Sequence, residues 1–249
     1  MQLTDGARTA PGGADLAHID TWIFDLDNTL YPSSSRLFDQ VSQRIGDYIA
    51  TAFDVDRDEA YRLQKGYFRE YGTTLRGLML KHGMDPAPFL DYVHDIDLSP
   101  IARSDTLEAA LARLPGRKLV FTNADAPYAE RVMARLGIGH HFSEIYDIEA
   151  ADWVPKPFPQ AYERLADVHD VEPTRAIFFE DILRNLAPAA ALGMATVWVH
   201  NDSDWASSGA GEMTPDYVTD DLAAWLAALS PPAAEDGPGD CRGQQRRSQ

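Results

Sequence analysis

Short runs of β-branched and aromatic residues alternate along this chain with longer amphipathic stretches, and that alternation restricts the fold more than any other feature. The strand-like runs are Thr21 to Phe24, Lys118 to Thr122, Ile145 to Ile148, Ala176 to Phe179, Thr196 to His200 and Tyr217 to Thr219. Helical periodicity fills the spaces at Asp105 to Leu114, Pro127 to Leu136, Phe158 to Val168, Asn185 to Leu192 and Leu222 to Leu229. Asp105 and Glu108 have the spacing of a capping box, Pro127 suits a first helical turn, and Gly137 and Gly193 stand where helices stop. Strands that alternate with helices make βαβ units. The expected fold is therefore α/β: a Rossmann-like parallel sheet with helices on both faces.

One interval breaks the rhythm. About 97 residues separate Asp25 from Thr122, whereas a βαβ unit needs only about 30. Within the surplus, Leu37, Phe38, Val41, Ile45, Tyr48, Ile49 and Phe53 recur at steps of three and four, and a second helical stretch runs from Arg57 to Tyr71. The surplus reads as an inserted helical cap domain over residues 32–103, with the core formed by 19–31 and 104–229 and with disordered ends at 1–18 and 230–249. An insertion that leaves the sheet at a strand's carboxyl end sits over the place where open α/β sheets bind ligands.

Charge narrows the partners. The 39 acidic and 22 basic residues give a net charge of −17, which opposes nucleic acid and anionic membrane surfaces. Basic residues cluster only at Arg242, Arg246 and Arg247. The longest apolar stretch, Ala187 to Val199, is interrupted by Pro188 and Gly193 and is too short to span a bilayer. No secretory h-region opens the sequence, and the single cysteine, Cys241, has no partner within the chain. A cytoplasmic, reducing location is the expectation.

Chemistry-bearing side chains stand at the carboxyl ends of four strand-like runs. Asp25 and Asp27 follow the first, Thr122 and Asn123 the second, and Glu180 and Asp181 the fourth; Lys156 lies between prolines in the loop after the third. Singly, each has an ordinary explanation as a turn former, a cap or a surface charge. Together they would converge in one crevice. Two carboxylates at about 4 Å repel by about 4 kcal/mol at an effective dielectric near 20, so the set requires a compensating proton or cation. Mg²⁺, with its preference for oxygen ligands, meets that need and leaves room for a phosphate.

The ordered set Asp25-Leu26-Asp27-Asn28-Thr29, Thr122-Asn123, Lys156-Pro157 and Glu180-Asp181 resembles the four motifs of the haloacid dehalogenase superfamily. The insertion falls where that superfamily places a helical cap of its first type. The resemblance implies that Asp25 is a nucleophile forming an aspartyl-phosphate, that Asp27 is the general acid and base, that Thr122 holds phosphoryl oxygens, and that Lys156 stabilises the Asp25 carboxylate and the developing negative charge. It implies Mg²⁺ held by the Asp25 side chain, the Asp27 carbonyl and Asp181, with Glu180 as ligand or neighbour. The second acid, Asp27, argues for phosphoryl chemistry over dehalogenation.

Tyr31-Pro32-Ser33-Ser34, Tyr71-Gly72-Thr73-Thr74-Leu75-Arg76-Gly77-Leu78, Val93-His94 and Arg184-Asn185-Leu186 look like the pyrimidine 5′-nucleotidase branch. That likeness implies nucleoside monophosphates as substrates, with Asn123, Arg76 and His94 as substrate-binding residues. The competing readings are a phosphosugar or phosphoglycolate-type phosphatase or phosphomutase on the same core, and a phosphoacceptor module without turnover. His82, His140, His141 and His169 read as solvated, with no spacing that suggests a metal site.

Overall fold

The computed structural model describes residues 16–229 except 204, 210 and 212. Expectations for the two chain ends, including Cys241 and the terminal arginines, lie outside the described residues. Six parallel strands form one sheet: β1 Thr21–Phe24, β2 Arg117–Phe121, β3 Glu144–Tyr146, β4 Ala176–Glu180, β5 Ala195–Val199 and β6 Tyr217–Thr219. Their order is β3-β2-β1-β4-β5-β6, the doubly wound arrangement whose switch point lies between β1 and β4. All four residues of β1 are buried. Trp22 and Phe24 join the core on one face and Ile23 the core on the other, which is why β1 reads as a continuous apolar run. Phe24 stacks on Phe179 of β4 at 4.6 Å between ring centroids.

Register then decides where the acids fall. Phe24 lies level with Phe179 and with Val120, so the next residue of β1, Asp25, stands beside Glu180 and Phe121. The Asp25 amide donates to the Phe179 carbonyl at 2.9 Å, and the Thr122 amide to the Tyr146 carbonyl at 3.0 Å. The chain therefore leaves all three strands at nearly the same height.

Nine α-helices occur among the described residues. Five lie in the long interval between β1 and β2, and the first four are α1 Leu37–Phe53, α2 Arg57–Tyr71, α3 Thr74–His82 and α4 Pro86–Val93. These four form the helical cap. The rest pack on the sheet: α5 Asp105–Arg113, α6 Ala126–Leu136, α7 Pro159–Val168, α8 Leu183–Leu192 and α9 Leu222–Ala227. No helix among the described residues is long and apolar enough to cross a membrane.

Several local expectations shift. The cap of α5 is Ser104, whose hydroxyl accepts from the Leu107 amide; Asp105 is already helical, because the serine one residue earlier supplies the oxygen that the capping box would have supplied. The third strand ends at Tyr146 rather than Ile148, since Asp147 turns away to accept from the amides of Ala126 and Ala150 at 2.8 Å each. In the cap, Thr73 accepts from the Arg76 amide at 3.1 Å and so starts α3. Gly72, at φ +83°, ends α2 against the loop that carries Lys156; a Cβ there would stand 2.9 Å from the Lys156 carbonyl oxygen. Only glycine lets the cap approach that loop so closely.

Candidate active site

At the carboxyl end of the sheet, the ammonium of Lys156 is 2 % exposed and uses all three of its donors. It donates to Asp25 Oδ1 at 2.6 Å, to Glu180 Oε2 at 2.7 Å and to the Phe121 carbonyl at 2.8 Å. One side chain thus ties together the ends of β1, β2 and β4. Asn123 holds the lysine's own backbone, accepting from the Lys156 amide at 2.8 Å and donating to its carbonyl at 3.3 Å.

Three carboxylates share this place with one ammonium. Oxygens of Asp25, Glu180 and Asp181 lie within 4.8 Å of one another, and all three residues are buried. Burial, then the charge of Glu180, pushes the Asp25 carboxyl up to about 8, against the opposing pull of Lys156. Burial and the same neighbouring acids raise Asp181 well above the ordinary carboxylate range. Burial works against the Lys156 ammonium, but Asp25 and Glu180 outweigh it and hold the amine charged. The cluster therefore carries an excess of carboxylate that a hard cation with oxygen ligands would satisfy. Within it, Glu180 is turned toward protein partners: Oε2 accepts from Lys156 and Oε1 from the Ile182 amide at 3.0 Å. Asp181 gives one oxygen, Oδ2, to Asn201 at 3.2 Å.

Asp27 occupies a different environment. Tyr31 and Tyr128 both donate to its Oδ1, at 2.5 and 2.8 Å. Burial raises the Asp27 carboxyl while these two hydroxyls oppose the rise. With Oδ1 occupied twice, Oδ2 is the oxygen left to exchange a proton. Tyr128 is in turn stacked on His94 at 4.3 Å, and His94 Nδ1 lies 2.6 Å from Asp125 Oδ1. Thr122 is buried, and its hydroxyl accepts from the Ala124 amide at 3.0 Å, leaving its proton to be donated.

These side chains open into a cavity of about 220 Å³ whose other walls come from the cap. Asp25, Asp27, Thr122, Asn123, Lys156, Glu180, Asp181 and His94 all line it. Arg76, expected at the substrate, is not among the lining residues. Its guanidinium donates to the Trp153 carbonyl at 3.0 Å and lies over the Phe158 ring, because α3 turns that face toward the core loop. His94 reaches the cavity, but its contacts serve Tyr128. Tyr128 itself had no local signal: it is 101 residues from Asp27. Of the histidines read as solvated, His82 and His140 are exposed; His140 and His141 lie 3.6 and 3.3 Å from Glu108, and His82 bonds the Tyr67 hydroxyl at 2.7 Å.

The sequence profile of the haloacid dehalogenase-like hydrolases matches residues 19–193. The chain belongs to that family. Among curated relatives, phosphate metabolism protein 8 of Saccharomyces cerevisiae is 28% identical over 213 residues, covering 79% of this chain and 66% of the yeast protein, just under two thirds of its length. Glyceraldehyde 3-phosphate phosphatase of Methanopyrus kandleri is 30% identical over 195 residues, covering 70% of this chain and 81% of that one. Among solved structures, the magnesium-bound HAD-hydrolase YfnB of Bacillus subtilis superposes with a TM-score of 0.53 at 18% identity, covering 85% of this chain and 98% of that one. The family's doubly wound core with a helical cap is the architecture found in this chain.

The bridging role of Lys156 is testable without any substrate. Lys156→Met leaves Asp25 and Glu180 buried without their counter-charge, and should cost about 3 kcal/mol in urea denaturation at pH 7. Part of that loss should return as the pH is lowered, because protonation removes the uncompensated charge. Undiminished stability at pH 7 would contradict the bridge.

Proposed function

We propose that this hydrolase is a Mg²⁺-dependent phosphomonoesterase, acting through an aspartyl-phosphate on Asp25, with pyrimidine nucleoside 5′-monophosphates as its preferred substrates. The observation that carries the reading is the ammonium of Lys156 bonded to Asp25, with Asp27 two residues further on and oriented by two tyrosines. Of the two curated relatives compared, one is named a phosphatase and the other a phosphate metabolism protein, which supports the reaction class. Preference for nucleotides rests on the likeness of the Tyr31–Ser34 and Tyr71–Leu78 strings to the nucleotidase branch. A triose phosphate is the alternative that the Methanopyrus relative's name favours.

In this reading an Asp25 oxygen attacks phosphorus while the bond from phosphorus to the ester oxygen breaks. The proton on Asp27 passes to that departing oxygen. Water then attacks the phosphoryl group, gives its proton back to Asp27, and releases phosphate from Asp25. Lys156 aims Asp25 and opposes the rise of its carboxyl, and its positive charge, together with the Thr122 hydroxyl, meets charge on the phosphoryl oxygens. Asp25, the Asp27 carbonyl and Asp181 would hold Mg²⁺, which when bound supplies positive charge to the phosphate. Glu180 acts as the anchor of Lys156. We also take residues 32–103 as the cap over a core of 19–31 and 104–229, and the cytoplasm as the place of action.

Asp25→Asn should abolish phosphate release while the protein stays folded, since it removes one member of a repelling set. Retained turnover by folded variant would sink the mechanism. A second expectation concerns pH. Folding raises the Asp25 carboxyl from an ordinary 3.8 to about 8, so the folded apo protein binds a proton that the unfolded chain releases. Its stability from this group is present at low pH and is lost as the pH rises between about 4 and about 8. Mg²⁺ competes with that proton, so the rise in Tm on adding Mg²⁺ should be larger at pH 8 than at pH 6. A gain that is equal at both, or larger at pH 6, would count against the carboxylate cluster as the cation's site.

A further inference from the structure

Part of the cavity's cap lining is apolar, beside polar residues such as Ser42, Gln64 and Thr74. Phe38, Val41 and Ile45 stand on one stripe of α1 and supply that part together with Phe89 of α4. Opposite them, from the core, comes Trp205 in the loop after β5. The rings of Phe38 and Trp205 approach to 6.1 Å between centroids at an interplanar angle of 43°. One aromatic belongs to the cap and the other to the core, and both line the same cavity as Asp25 and Lys156.

Trp205 is held in place by the chemistry end of the site. The Leu183 amide donates to the Ala206 carbonyl at 2.8 Å, which fastens the loop to the start of α8. Asn201, four residues before the tryptophan, donates to Asp181 at 3.2 Å and accepts from the Ser203 amide at 3.0 Å. The loop that carries Trp205 is therefore built onto the same turn as the carboxylates.

We propose that Phe38 and Trp205 are the residues that determine substrate specificity, by taking a flat aromatic ring on the leaving group of the phosphate ester. The inference rests on the phosphomonoesterase reading and adds to it the residues that select the ester. With phosphorus placed at Asp25, a leaving group directed toward Phe38 and Trp205 meets the apolar stretch of the lining. A planar heterocycle buries its faces there and stacks on the aromatic pair. A polyol gains no such stacking on the aromatic pair. Because the two rings already touch, a bound ring lies against the pair rather than between its members.

A different role for the pair is that of a clasp between cap and core, which would influence every ester alike. Equilibrium binding separates the two. In the Asp25→Asn background, calorimetry should show that Trp205→Ala and Phe38→Ala each weaken UMP about tenfold, the scale of one lost aromatic contact, while glycerol 3-phosphate changes by less than about twofold. Trp205→Phe, which keeps a ring, should retain most of the UMP affinity. Equal losses for both ligands, no loss for UMP, or no UMP binding to the Asp25→Asn parent would each overturn the assignment. Since affinity is read without turnover, a failure of the aspartyl-phosphate mechanism would appear in phosphate release by the unsubstituted protein and is distinguishable from a failure here.

Discussion

Three protons on one buried ammonium meet three acceptors from three strands, and the rest of the site follows from that match. Lys156 reaches Asp25 after β1, Phe121 at the end of β2 and Glu180 at the end of β4. An ammonium so far from water would be intolerable without those acceptors, and two of the carboxylates would be intolerable without the ammonium. Each half of the cluster is the condition for burying the other. The surplus that remains, Asp181 with part of Asp25, is what bound protons or a hard cation would compensate.

Sheet register makes this meeting possible. Phe24 pairs in height with Phe179 and Val120, so a slip of one residue would send Asp25 to the wrong side of the pleat and separate it from Lys156. The aromatic contacts that lock the register, above all Phe24 on Phe179, are therefore as much a part of the site as the acids. On the cap side, Gly72 allows α2 to end against the Lys156 loop. Arg184 of α8 then donates to the carbonyls of Phe68 and Gly72 at 3.0 and 3.4 Å. Cap and core thus meet both at the loop that carries Lys156 and at α8.

Much of this was legible in the chain. The alternation of strands and helices, the long interval after β1 and the placing of Asp25, Thr122, Lys156 and Glu180 at strand ends are all local signals, carried by periodicity and by polar residues that follow apolar runs. What stayed hidden depends on contacts between distant segments. Nothing near Tyr128 marks it as a partner of Asp27, and nothing near Trp205 marks it as a wall of the cavity. Arg76 misled for the same reason. Its sequence neighbours place it on the cap, but helix rotation, which α3 settles through tertiary packing, turns its guanidinium to Trp153 and away from the cavity. The cap of α5 moved by one residue because Asp105 and Ser104 both carry a suitable oxygen, and only geometry chooses between them.

Identification of the group that carries the phosphoryl intermediate tests the central claim most directly. In the proposed mechanism Asp27→Asn removes the base that activates water, so the second step should slow and the intermediate accumulate. An acid quench of this variant mixed with Mg²⁺ and p-nitrophenyl phosphate, a substrate whose leaving group needs little protonation, followed by peptide mass analysis, should find one phosphoryl group on Asp25. A phosphoryl group on another residue, or rapid phosphate release with no phosphorylated peptide at any time, would contradict it.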